Sequence, residues 1–257
     1  MGLFDTHCHL YDKAFDRDRD EVISHIFQTL DYAVVPSEDL ETSRKAVALA
    51  EEYPPIFAAA GIHPQETKSA SDGILEEIRQ LALRHPKVKA IGEIGLDYHY
   101  LYSDKETQQK WFIRQVELAK ELNLPFIIHD REAHGDTLAI LKKYKDSRMR
   151  GIMHCFSGSG EMAKEFIKLG FYISFAGPVV FPKSVKLKEA AASIPLDRLL
   201  IETDSPYLTP PPYRGKRNDP SHVIYVAEEL ARLKGISTEE MIGITKQNGM
   251  TIYEIHE

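Results

Sequence analysis

Cysteine is nearly missing from this chain. Only Cys8 and Cys155 occur in 257 residues, and neither belongs to a C-x-x-C pair. That count argues against a secreted disulfide framework, while leaving one bridge open. No apolar run reaches the roughly 18 residues of a membrane span, so none is expected. The N-terminus has neither the basic start nor the long apolar stretch of a signal peptide, and the expected location is the cytoplasm. Positive charge is not in excess either: the formal net charge is −7. The chain is therefore not a nucleic-acid wrapper by overall basicity, and a polyanionic substrate needs a local basic patch or metal ions. No G-x-S-x-G elbow is present, so acyl-enzyme chemistry is not expected. No linker rich in Gly, Ser or Pro and no internal repeat interrupts the chain. One domain over residues 1–257 is the expectation.

What is present is a rhythm. Short apolar runs recur at 2–7, 31–35, 56–62, 88–94, 125–129, 151–156, 171–175 and 198–203. Most are almost continuously apolar, as suits parallel strands covered on both faces. Helical spacing fills intervals between them. Residues 18–30 place Val22, Ile23, Ile26, Phe27 and Leu30 on one face, and 106–122 do the same with Trp111, Phe112, Gln115, Val116, Ala119 and Leu122. The segment 219–235 opens with Asp-Pro, an N-cap with Pro at the first helical position, and stops at Lys-Gly. Residues 237–249 begin with Ser237 and carry Glu240 three positions on, as in a capping box. Eight strands, each followed by helical material, predict an α/β fold, the (β/α)8 TIM barrel. A doubly wound open sheet would need a Gly-rich phosphate loop after the first strand, where this chain has "THCHL".

Polar, metal-capable residues terminate the apolar runs. His7 and His9 follow the first, His63 the third, Glu93 the fourth, His129 the fifth, His154 the sixth, and Glu202 and Asp204 the last. A single such His is ordinarily a hydrogen-bonded structural residue, Glu93 alone is a salt-bridge partner, and Asp204 before Ser-Pro starts a turn. Independent structural residues would scatter between the two ends of a barrel, however, and these gather at the end where barrel active sites are built. Side chains at i and i+2 of a strand share a face, so His7 and His9 point together and Cys8 points away. Imidazoles suit a borderline divalent ion, and carboxylates can bridge two. Two such ions activate water and stabilise the leaving oxygen of a phosphodiester, and an acid at the rim takes the proton. Cys8 and Cys155 are expected as buried neutral thiols. Arg131 and the "RGKR" run at 214–217 are phosphate-contact candidates.

The ordered set "DTHCHL", "GIHP", "IGEIGLDYH", "LPFIIHDR", "GIMHCFSG", "ETDSPYL" and "YRGKRNDP" resembles the TatD family of metal-dependent deoxyribonucleases. The resemblance runs from residue 4 to the closing "TKQNGMTIYEI". It implies two divalent ions, Zn, Mg or Mn. His7, His9 and Asp204 would hold one, His129 and His154 the other, and Glu93 would bridge them. Asp204 would also serve as the base, with His63, Arg131 and Arg214 facing the scissile phosphate. The implied substrate is DNA, cut in some members from the 3′ end, by a monomer or weak oligomer with no membrane partner. A small-molecule amide, lactone or ester hydrolase of the same superfamily is the alternative. Two departures stand out. Pro36 occupies a position where Gly is frequent, which puts the local loop shape in doubt. Tyr253 replaces a more usual Phe, with little expected consequence.

Overall fold

In the computed structural model, which describes residues 2–256, every apolar run contains a strand. Met1 and Glu257, the ends of the expected domain, lie outside the described residues. In chain order the main elements are β1 (Leu3–Asp5), α1 (Arg19–Ile26), β2 (Leu30–Val35), α2 (Leu40–Glu52), β3 (Ile56–Ala60), α3 (Asp72–Arg84), β4 (Val88–Asp97), α4 (Lys105–Glu121) and β5 (Phe126–Arg131). They continue with α5 (His134–Lys143), β6 (Gly151–Met153), α6 (Gly160–Lys168), β7 (Phe171–Phe175), α7 (Val185–Ser193), β8 (Leu199–Ile201), α8 (Val223–Lys234) and α9 (Thr238–Tyr253). The strands form one eight-stranded sheet in the order of the sequence. Thr6 N donates to Ile201 O at 3.2 Å, which brings the end of β1 against β8. The fold is the (β/α)8 TIM barrel. β1, β6, β7 and β8 are buried at every residue, as strands covered on both faces must be.

Caps set the helix boundaries. Asp39 accepts from Thr42 N to open α2 in a capping box, and Asp104 accepts from Thr107 N to open α4. Ser237 Oγ accepts from Glu240 N at 3.1 Å at the start of α9, where the sequence places a cap. α8 starts later than its Asp-Pro signal predicts. Asp219 accepts from Ser221 N, closing a 3-10 turn over Pro220–His222 before α8 begins at Val223. α8 ends as expected: Gly235 adopts φ 68°, a left-handed stop that costs glycine little. α1 is shorter than its apolar spacing suggests, because Leu30 is drawn into β2 opposite Leu3.

The described chain divides into two compact units. One comprises the stretch ending at Val35, Cys155–Lys164 and the chain from Tyr172 onward. Its core includes Phe4, whose ring lies 5.6 Å from Tyr32 and 6.0 Å from Tyr253. The Tyr253 hydroxyl donates to Thr6 O at 3.0 Å. A phenylalanine would leave that carbonyl without this donor, so the tyrosine matters more than the sequence suggests. The other unit comprises Pro36–His154 and Glu165–Phe171. Phe171 is packed edge-on by Phe126 and Phe166 there. No helix among the described residues is long and apolar enough to cross a membrane.

Candidate metal centre

β1 stops at Asp5, and the chain bends at Thr6, yet the segment beyond remains tied to its neighbours by backbone bonds. Thr6 N bonds toward β8, Cys8 N donates to Val34 O at 3.1 Å, and His9 N donates to Ser205 O at 2.7 Å. Alternation along this segment sends Cys8 Sγ toward Val34 O and brings His7 and His9 together. Their Nε2 atoms lie 3.2 Å apart. Asp204 Oδ1 lies 3.6 Å from His7 Nε2 and 3.3 Å from His9 Nε2. Asp204 has φ 55°, a left-handed conformation that Asp tolerates, and its N–H donates to His7 O at 2.9 Å. Ligand atoms about 2.0–2.2 Å from a tetrahedral ion stand about 3.3–3.6 Å from one another, so the three atoms fit one divalent cation. The donor chemistry agrees. Two imidazole nitrogens facing each other share at most one proton between them, whereas a cation accepts both lone pairs.

Two neighbours orient this set. His9 Nδ1 lies 2.9 Å from the Tyr11 hydroxyl, so a His9 that ligates through Nε2 can donate its Nδ1 proton to that oxygen. Asp5 is fully buried and ties the ends of β1 and β8. Its Oδ1 accepts from His7 N at 3.2 Å and Thr203 N at 2.9 Å, and its Oδ2 accepts from Thr203 Oγ1. Burial pushes the Asp5 carboxyl up, against these hydrogen bonds.

A second set is built on β3 to β6 and the turns that follow. Glu93 Oε1 lies 2.8 Å from His129 Nδ1, 2.9 Å from His154 Nε2 and 3.8 Å from His63 Nε2. The opposite nitrogen of His129, Nε2, lies 3.0 Å from Asp97 Oδ2. The sequence reading missed Asp97, although "GLD" puts it at the end of β4. A carboxylate behind an imidazole is a common way to fix a ligating histidine. Asp97 also accepts from Gln65 Nε2 and from the amides of His99 and Tyr100. Although burial favours its neutral form, the bonds from His129, Tyr100 and Gln65 hold its carboxyl well below the usual range. Burial disfavours a charged His129 in turn, but Asp97 and Glu93 outweigh it and raise the imidazole to about 9. Burial and the neighbouring His129 lower His63 to about 3.

The backbone around this set is held just as closely. Glu93 N donates to Ser37 O at 2.7 Å, and Ser37 Oγ donates to Ala59 O at 3.0 Å while accepting from Gly61 N. The Pro36-Ser37 loop, whose shape the sequence left in doubt, is thus a support for Glu93. Gly95 has φ 140°, and a Cβ there would sit 2.0 Å from His129 O, so only glycine lets β4 pass β5 this closely.

Neither cysteine is in a disulfide. Cys8 is buried and its thiol pKa is pushed up by that burial, as expected, whereas Cys155 is partly exposed. Glu202 Oε1 accepts from Cys155 N at 2.7 Å, a bond of which the sequence carries no sign. The basic candidates diverge. Arg131 lies over the Tyr100 ring at 4.7 Å. Arg214 lies over Phe181 at 4.3 Å, and Arg217 is paired with Asp18 at 2.7 Å.

The family model described as TatD related DNase matches residues 4–254. The uncharacterized metal-dependent hydrolase YabD of Bacillus subtilis is 48% identical over 255 residues, covering 99% of this chain and all of the relative. The 3′-5′ ssDNA/RNA exonuclease TatD of Salmonella typhimurium is 32% identical, covering 98% of this chain and 99% of that protein. Among solved structures, the TatD homolog YjjV of Escherichia coli superposes with a TM-score of 0.93 at 33% identity, over 99% of this chain and 98% of that one. With these sets of imidazoles and carboxylates at its strand ends and the family model matched from strand β1 to helix α9, the chain belongs to the TatD family of metal-dependent hydrolases.

Proposed function

We propose that the protein hydrolyses phosphodiester bonds of DNA from the 3′ end, using two divalent cations. His7, His9 and Asp204 would hold one ion, and His129 and His154 the other. The bridging role that the resemblance implies for Glu93 is part of this proposal. The observation that carries it is the head-to-head pair of imidazole nitrogens, 3.2 Å apart, beside the Asp204 carboxylate. The TatD relative named as a 3′-5′ ssDNA/RNA exonuclease supports the choice of substrate. Zn²⁺, Mg²⁺ and Mn²⁺ all suit this mixture of nitrogen and oxygen donors.

Such cations acidify water and neutralise charge that develops on a phosphate. The chain's own groups do the rest. Asp204 accepts a proton from the attacking water as the water oxygen bonds to phosphorus, the bond from phosphorus to the leaving oxygen breaks, and that oxygen takes up a proton from solvent while Asp204 returns its own. Tyr11 keeps the His9 proton on Nδ1, and Asp97 keeps His129 from rotating. Arg131, Arg214 and His63 would contact the phosphate, as the resemblance implies. The test is cleavage of 5′-labelled single- and double-stranded DNA with Mg²⁺ or Mn²⁺, beside Asp204→Asn. A ladder shortening from the 3′ end, lost in the variant, is expected. Turnover of an amide, lactone or ester with every DNA left intact would overturn the proposal.

A further inference from the structure

The loop after β4 carries a feature that the hydrolytic chemistry does not use. Tyr100, Leu101 and Tyr102 are three consecutive large side chains, exposed by 42%, 53% and 65%. A run of this kind is a liability in a soluble protein unless it binds something. The loop is not loose, because its flanks are buried and bonded. Fully buried Gln108 donates to Asp97 O and Ser103 O and accepts from Asp97 N. Ser103 Oγ accepts from Lys68 N at 2.8 Å. The tip is therefore presented on a rigid base.

The exposed rings are also ordered. Tyr100 and Tyr102 are stacked, with centroids 5.9 Å apart and planes within 10°. The Arg131 guanidinium covers Tyr100 at 4.7 Å. Beside Tyr102 lies an open cavity of about 460 Å³, lined also by Gln65, Glu66, Lys68 and Ser69. Stacked aromatic faces next to a guanidinium and polar side chains are what unpaired nucleobases stack on, and paired bases inside a duplex cannot reach them. The platform is joined to the second metal-ligand set through one side chain. Asp97 Oδ2 faces His129 Nε2, while its Oδ1 accepts from His99 N at 3.0 Å and Tyr100 N at 2.8 Å. A strand stacked on the tip would be held in fixed register with His129.

We propose that Tyr100 and Tyr102, with Arg131, form a stacking platform for the unpaired bases of a single-stranded nucleic acid. The proposal rests on the phosphodiesterase reading and adds to it the side chains that would hold the bases of the strand. The experiment compares KM for an oligothymidylate with KM for the same strand bearing abasic sites, and measures oligothymidylate affinity by fluorescence anisotropy. The protein should bind the normal strand about tenfold or more tightly than the abasic one, the worth of one base–aromatic stack. Tyr100→Ala/Tyr102→Ala should erase that ratio, and Tyr102→Phe, which keeps the ring, should preserve it. A ratio near one in the unsubstituted protein, or a ratio unchanged in the double variant, overturns the platform. Tight binding of normal strands that the double variant loses, with no strand cleaved, would support the platform and sink the phosphodiesterase reading alone.

Discussion

Two imidazoles face each other at the end of β1, Nε2 to Nε2, with one carboxylate beside them. On β4 and β5 the arrangement is reversed, and His129 lies between the carboxylates of Glu93 and Asp97. The first set brings lone pairs together and would be completed by a cation. In the second, both ring nitrogens of His129 face carboxylate oxygens, so a cation would take the place of any proton between His129 Nδ1 and Glu93. Their orienting groups differ in the same sense, a neutral phenol behind His9 and a buried carboxylate behind His129. With ions bound as proposed, one set would place an acid beside an ion and the other would make its histidine a stronger donor.

The comparison breaks first at Asp204. Asp204→Asn removes the carboxylate of the candidate triad with His7 and His9, and kcat for DNA should fall about 10²- to 10⁴-fold. Steady-state kinetics beside an unchanged thermal melt would check this. A loss below tenfold would remove Asp204 as the base. Next, His129→Ala should lower bound metal from two equivalents toward one, read by elemental analysis after dialysis. Loss of both ions would mean that the sets do not load separately. Asp97→Asn should then weaken the second ion by about 10- to 100-fold, measured by competition with a chelating dye. Tyr11→Phe removes one neutral hydrogen bond and should cost the first ion only about two- to tenfold. Equal losses in the last two variants would erase the distinction between the orienting groups.

The smallest effect lies away from both sets. Glu229 on α8 is held down to about 2 by Arg232, against burial and with help from Lys188. A depressed carboxyl stabilises the fold above its ordinary value of 4.5, and that contribution is lost as pH falls through about 2. Glu229→Gln should therefore lose about 1 kcal/mol or less at pH 7, by urea denaturation. The difference from the unsubstituted protein should close in strong acid. Metal content should not change.

The candidate residues of each set were legible because each ends a run of apolar residues. His7, His9, Glu93, His129, His154 and Asp204 stand out against such runs. Asp97 and Ser37 did not, since an acid or serine just past a strand looks the same whether it caps a turn or supports a ligand. Glu202 shows the converse, an acid in the same motif as Asp204 that binds a backbone amide. Arg217 likewise sits in a basic run read as phosphate-binding, yet it is spent on Asp18, 199 residues away in sequence.

The sequence by itself determined the strands, their order, the cap at Ser237 and the stop at Gly235, because periodicity and turn chemistry act over a few neighbouring residues. Only the tertiary structure decided which nitrogen faces which oxygen. Asp5 and Thr203 are 198 residues apart in the chain and share a hydrogen bond. That meeting depends on sheet closure, which no local pattern encodes.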